Sequence, residues 1–152
     1  NEKGDHIDVD IRKTDFTSVS KNTYWSTMET YMNLKPQLEA FFDMPLLGIE
    51  VPEFLYYSSG SFFTAHTDVL ATHKNERKIS TVLFLNQQTN DVQTGDYEGG
   101  ELCLYGLNKL FPKKGFAMPS SQGLLVAFRS EVMHEVKPIL SGTRCSLVVW
   151  YH

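Results

Sequence analysis

The amino-acid sequence predicts a mainly β fold, an antiparallel sandwich or jelly roll with helices covering one outer face. Two features carry that expectation. After Pro52 the apolar residues arrive in short runs of β-branched and aromatic side chains, separated by segments rich in Gly, Ser, Asn and Asp. Between those runs no stretch repeats its apolar residues at helical spacing, as the crossovers of a parallel sheet would require.

The elements follow in order. Residues 1 to 20 are polar and charged and read as a lead-in, with an edge strand at most. From residue 22 to 43, Tyr24, Met28, Tyr31, Met32, Leu34, Leu38, Phe41 and Phe42 recur at helical spacing. Pro36 interrupts this region. Proline lacks an amide donor and its ring crowds the preceding turn, so Pro36 either starts a second helix or kinks one long helix, and two short helices are the preferred expectation. Seven or eight strands follow, read in EFLYY (53 to 57), FFTAHTDV (62 to 69), ISTVLFLN (79 to 86), ELCLYGL (101 to 107), GLLVAF (123 to 128), EVMHEVKP (131 to 138) and TRCSLVVWYH (143 to 152). The polar stretch NQQTNDVQTGDYEGG, residues 86 to 100, reads as a long surface loop.

With 152 residues, 41% hydrophobic and 12% aromatic, the chain can bury one substantial core but not two. A single domain over 1–152 is expected, with a helical and polar lead-in over 1–49 and the β core over about 50–152. A net charge of -4 and the lack of a long Lys/Arg block exclude nucleic acid as a primary partner. Two cysteines far apart, Cys103 and Cys145, point to neither a disulfide framework nor a thiolate zinc site. No apolar run reaches the ~18 residues of a membrane span, and no signal peptide is visible, so an intracellular, cytoplasmic location without membrane partners is expected.

One strand carries unusual chemistry. Side chains alternate along a strand, so His66 and Asp68 project to one side together with Phe62 and Thr64. His134, in another turn-bounded strand, supplies a third ligand if folding pairs the two strands. Two imidazoles and a carboxylate make the facial triad used for non-haem Fe(II), which leaves three coordination positions open. The bland reading is that H-x-D pairs are common; a second copy, HID, lies at residues 6 to 8 in the charged lead-in. His6, His73 and His152 are assigned to the surface, and His134 taken alone fits a buried, hydrogen-bonded histidine. What accompanies it is Arg144, which shares a strand face with Ser146, Val148 and Trp150. An arginine facing inward needs an anion, because burying an unpaired charge is costly, and a dicarboxylate would answer that need.

At this point the residues resemble the prolyl 4-hydroxylase-like family of 2-oxoglutarate and Fe(II)-dependent dioxygenases. YSSGSFFTAHTD is similar to that family's Y-x-x-G-x-x-(Y/F)-x-x-H-x-D segment, YEGGELCLYG to its G-G-E-L strand, and LLVAFRSEVMHEVKPILSGTRCSLVVWYH to its distal block of H-E-V-x-P, G-T-R and a closing tryptophan strand. The resemblance covers about residues 50 to 152 and implies a double-stranded β-helix, or jelly roll. By position it implies His66, Asp68 and His134 as iron ligands, Arg144 as the residue binding the distal carboxylate of 2-oxoglutarate, Ser146 as the hydroxyl two residues on, and Tyr57 as the tyrosine near the cosubstrate. Where some members place a tyrosine beside that carboxylate, this chain has Phe84, so the contact must come from Ser146 or be missing. The implied cofactors are Fe(II) and 2-oxoglutarate, with ascorbate as an accessory. The implied reaction is hydroxylation of an aliphatic C–H with O2, yielding succinate and CO2. The substrate is a prolyl residue of a peptide or protein, with a free amino acid or other small molecule as the alternative.

The charges of iron(II), Asp68, 2-oxoglutarate and Arg144 cancel, so the assembled site can be buried. The presence of Asp68 separates the chain from related halogenases, which lack the carboxylate. Loops over residues 69 to 78 and 87 to 98 are expected near the mouth, where either can serve as a lid. Phe62, Phe84 and Trp150 are read as core. Two other classes compete. A zinc hydrolase built on the same three ligands leaves Arg144 unexplained and offers no general base. A non-catalytic jelly-roll binding module gives no reason for the triad.

Overall fold

The computed structural model describes residues 12–69, 76–91 and 95–152, without the side chain of Arg12. His6, Asp8, His73 and most of the loop expected over residues 69 to 78 lie outside the described residues. In chain order the elements are β1 (Arg12–Lys13), β2 (Asp15–Phe16), α1 (Lys21–Phe42), β3 (Glu53–Ser58), β4 (Phe62–His66), β5 (Ile79–Phe84), β6 (Tyr97–Gly99), β7 (Leu102–Leu104), β8 (Phe116–Ala117), β9 (Leu125–Arg129), β10 (His134–Val136) and β11 (Ile139–Tyr151).

They form two antiparallel sheets, one in the order β1-β4-β10-β7-β8 and the other β2-β3-β11-β5-β9, with β6 also paired to β11. This is the expected double-stranded β-helix. The alternation of β11 explains how it holds together. Val148 and Trp150 point between the sheets, into a core shared with Leu55, Val82, Phe128 and Val136. Leu147, Val149 and Tyr151 point the other way, onto Tyr31 and Leu38 of the helix. A strand buried on both faces reads as the continuous apolar run LVVWY instead of an alternating one.

The helix departs from expectation. It is one element of 22 residues with Pro36 inside it, not two short helices. Ser20 starts it by accepting a hydrogen bond from the Thr23 amide, and Asp43 ends it in the left-handed region at φ 50°. Continuity past the proline is secured by tertiary contacts on both sides: Tyr31, whose carbonyl accepts the Tyr151 hydroxyl at 2.8 Å, and Leu38 in the same cluster. Packing outweighs local propensity here. Restoring the missing amide with Pro36→Ala is therefore expected to stabilise the protein by about 1–3 kcal/mol, read from chemical denaturation.

Three smaller differences bear on the site. The stretch read as a surface loop contains β6, whose Tyr97 is fully buried. Its docking is a tertiary matter: Gly142 of β11 faces Tyr97, and at φ +75° a Cβ there would lie 2.2 Å from the Asp96 carbonyl oxygen. Two-residue strands in the lead-in, β1 and β2, pair with β4 and β3. His152 is half-buried, with its carbonyl accepting from the Leu47 amide at 2.5 Å, so it is not the solvated terminus expected. No described helix is long and apolar enough to cross a membrane.

Candidate metal centre and anion pocket

His66 closes β4 and His134 opens β10, and the two are directly paired across the antiparallel ladder. The register slips between His134 and Val136, which faces Phe63. That bulge alters the face expected from simple alternation: Phe63, not Phe62, packs against the inner core and stacks on the His66 ring at 3.6 Å. Asp68 lies two residues past the end of β4, where its amide donates to the Ser130 carbonyl at 2.9 Å. The chain has left the ladder, yet the two side chains converge.

His66 Nε2 is 3.5 Å from Asp68 Oδ1, and His134 Nε2 is 3.6 Å from Asp68 Oδ2. Three ligand atoms, one from each residue, lie within 4.8 Å of one another, close enough to hold a single metal ion. The histidine tautomers follow from their other nitrogens. His66 Nδ1 sits 2.7 Å from the Thr64 carbonyl and His134 Nδ1 3.0 Å from the Val132 carbonyl. A carbonyl only accepts, so each Nδ1 carries the proton and each Nε2 presents a lone pair to the centre.

Electrostatics favour the same state. Burial lowers the His134 imidazole more than Asp68 raises it, keeping it neutral at pH 7. Burial pushes the Asp68 carboxyl up, but the contact with His66, the charge that His134 gains only at acid pH, and hydrogen bonds from Ser80 and Trp150 outweigh it and hold the group well below the ordinary carboxylate range. Asp68 is thus an anion beside a neutral His134, with the Nε2 atoms of both histidines turned toward it, an arrangement that suits a divalent cation.

The three residues open onto a cavity that is also lined by Tyr57, Arg144 and Ser146. Its remaining walls are mainly aliphatic, including Leu55, Val82 and Val148. Along β11, Trp150 stands beside Asp68, and Val148, Ser146 and Arg144 follow on the same face. Arg144 is 1% exposed. Its Nη1 donates to Ser146 Oγ at 3.2 Å, while Nε and Nη2 have no hydrogen-bond partner among the described residues. Its guanidinium carbon lies 5.1 Å from the ring centres of both Tyr57 and Phe84. A buried cation with two unanswered donors is a costly arrangement that a bound carboxylate would relieve. Gly100 makes room for it: a Cβ there would lie 3.2 Å from Arg144 Cδ and 2.2 Å from Ile139 Cδ1.

The structure therefore brings together every residue singled out from the sequence: His66, Asp68 and His134 in one cluster, and Tyr57, Arg144 and Ser146 around the same cavity. It adds others. Ser80 and Trp150 both donate to Asp68 Oδ2, at 2.7 and 2.9 Å. Trp150 is thus more than core. Ser80 carried a signal, a hydroxyl on the inward face of β5 with Val82 and Phe84. Tyr97 carried none, because the polar stretch around it reads as loop. Its hydroxyl is buried with no hydrogen bond of good geometry among the described residues, and burial raises it against the pull of the Arg144 charge and the nearby Ser120. Asp68 and the two histidines supply the donor set that Fe(II) takes, and the unpaired donors of Arg144 fit a carboxylate.

Comparisons with known proteins agree with this geometry. The sequence model of the 2OG-Fe(II) oxygenase superfamily matches residues 52–152. Among curated proteins, a PKHD-type hydroxylase from Picosynechococcus sp. is 31% identical over 97 residues, covering 64% of this chain and 39% of the relative. Another from Psychrobacter sp. is 32% identical over 108 residues, covering 65% and 36%. The chain spans about two fifths of the length of these curated relatives. A Pseudomonas putida prolyl-4-hydroxylase crystal structure shares the fold at a TM-score of 0.74 and 24% identity, covering 96% of this chain and 75% of that one. A Trichoplax adhaerens prolyl hydroxylase, solved with a peptide fragment of the hypoxia inducible factor oxygen degradation domain, aligns at a TM-score of 0.63 and 20% identity, covering 93% and 63%. With a match across two thirds of its length, the chain belongs to the 2OG-Fe(II) oxygenase superfamily.

Proposed function

We propose that this chain is the catalytic part of a 2-oxoglutarate- and Fe(II)-dependent dioxygenase that hydroxylates a prolyl residue of a peptide or protein. The observation that carries the reading is Arg144, a fully buried cation with two donors unanswered, lining the cavity that also receives His66, Asp68 and His134. A metal triad alone would suit several chemistries; a triad sharing a cavity with an anion-seeking guanidinium suits a metal that works with a dicarboxylate.

In this reading His66 Nε2, His134 Nε2 and Asp68 Oδ1 would hold Fe(II). Bound Fe(II) and 2-oxoglutarate supply the oxidising chemistry, in which O2 becomes one oxygen of succinate and one hydroxyl of the product, with release of CO2. The protein's own part is placement. Arg144 pairs with the distal carboxylate, and Ser146 Oγ, already 3.2 Å from Nη1, steadies the guanidinium. Phe84 and Tyr57 flank it and exclude water. Since Phe84 offers no hydroxyl, Ser146 takes up the polar contact there. The aliphatic walls keep the reacting centre dry, which favours attack on a C–H bond over loss of the oxidant to solvent.

Support for a prolyl substrate comes from the folds it shares with two prolyl hydroxylases, one of them solved with a peptide. The test is to incubate the Fe(II)-loaded protein with 2-oxoglutarate, O2 and a set of proline-containing peptides alongside free amino acids, and to locate added oxygen by fragmentation mass spectrometry. One oxygen on a peptidyl proline is the expected result. Oxygen on a free amino acid only would overturn the peptide assignment while keeping the reaction.

A further inference from the structure

Asp68 has two carboxylate oxygens, and the fold has already committed one. Oδ2 accepts from Ser80 Oγ at 2.7 Å and from the Trp150 indole N–H at 2.9 Å, and Ser80 Oγ is itself 2.9 Å from Ser130 Oγ. With those donors along its lone pairs, Oδ2 has little left for a metal, so Asp68 offers Oδ1 alone. One-oxygen ligation matters, because a second bound oxygen would occupy one of the three positions that cosubstrate and O2 need.

The indole that enforces this is held from outside. The guanidinium carbon of Arg77 lies 3.7 Å from the Trp150 ring centre. Arg77 is in turn fixed by Glu50 through two parallel hydrogen bonds, Nε to Oε1 and Nη2 to Oε2, each 2.7 Å. Glu50 closes the loop: its backbone amide donates to the Trp150 carbonyl at 2.9 Å. Arg77 keeps only 14% of its side-chain surface in solvent. A cation pressed on an indole face draws on the ring's electron density, which makes the N–H a stronger donor, and the bidentate fork prevents the guanidinium from leaving.

We propose that Glu50 and Arg77 form a clamp that acts through the Trp150 N–H to hold Asp68 as a one-oxygen metal ligand, which makes both of them positioning residues for the metal centre. The inference rests on the reading of His66, Asp68 and His134 as metal ligands. A purely structural role is the competing explanation: the ion pair would then merely tie the segment before β3 to the segment before β5. The two make different predictions for coupling. If Arg77 acts through the indole N–H, its effect vanishes once that N–H is gone.

The experiment is a double-mutant cycle with Co(II) as the probe, its affinity and ligand-field spectrum measured anaerobically on the parent protein, Arg77→Gln, Trp150→Phe and the double variant, with folding checked by circular dichroism. Trp150→Phe is expected to weaken Co(II) binding about 10- to 100-fold and to shift the spectrum as Oδ2 is released. Arg77→Gln is expected to weaken it about 3- to 10-fold in the parent and not at all in the Trp150→Phe background. Parent-like affinity and spectrum in Arg77→Gln, or the same loss in both backgrounds, overturns the clamp alone. No Co(II) binding by the parent overturns the metal reading and this inference with it.

Discussion

Replacing Asp68 by alanine is expected to abolish iron binding and turnover together, with a loss of activity of at least 1,000-fold. The carboxylate is the only anion among the three ligands, and it neutralises half of the charge of a divalent metal inside a cavity with mainly aliphatic walls. Its two neighbours are imidazoles, which ligate a metal only in their neutral form and cannot take over that role. The substitution also leaves the Ser80 hydroxyl and the Trp150 N–H without their acceptor. A moderate loss of stability, about 1–3 kcal/mol, is therefore expected alongside. Iron content by metal analysis and 2-oxoglutarate turnover on the same sample check both; a variant that keeps full activity contradicts the assignment of Asp68.

Arg144 has the second large effect, and it has two opposite signs. Arg144→Met removes the partner of the cosubstrate's distal carboxylate, which is expected to cost about 2–5 kcal/mol of 2-oxoglutarate binding, roughly 30-fold and upward in Kd. Fe(II) binding changes far less, because Arg144 is no metal ligand. The ligand-free protein is expected to become more stable at the same time, by about 1–4 kcal/mol, since the wild type keeps a guanidinium buried with Nε and Nη2 unanswered. Calorimetric titration of 2-oxoglutarate and denaturant unfolding of the ligand-free protein measure the two signs separately. Unchanged 2-oxoglutarate affinity would contradict the placement of the cosubstrate at Arg144.

The triad was legible because each residue carries its chemistry in its identity, and strand alternation puts neighbours on one face. The alternation of β11 was equally legible: Arg144, Ser146, Val148 and Trp150 do share the inward face, and the odd positions from Leu147 to Tyr151 face the helix. What escaped depends on partners remote in sequence. The 22-residue helix survives Pro36 because Tyr31 and Leu38 are buried on either side of it, which no local rule reveals. β6 is a strand only because Gly142 lets Asp96 and Tyr97 approach β11. The bulge that puts Phe63 beside His66 is set by pairing with β10, 71 positions beyond Phe63 at His134 and invisible to a period-two count. Glu50 and Arg77 look like ordinary surface charges until the fold lays them over Trp150.

The most direct measurement is an anaerobic titration of 2-oxoglutarate into the Fe(II)-loaded protein, following the weak visible charge-transfer band of the iron chelate, with His134→Ala as the control. A band that saturates in the parent and is absent from His134→Ala is the predicted result, placing metal and cosubstrate in the cavity between the two sheets. Iron bound to the parent without any band would contradict the account and favour a metal site of another kind.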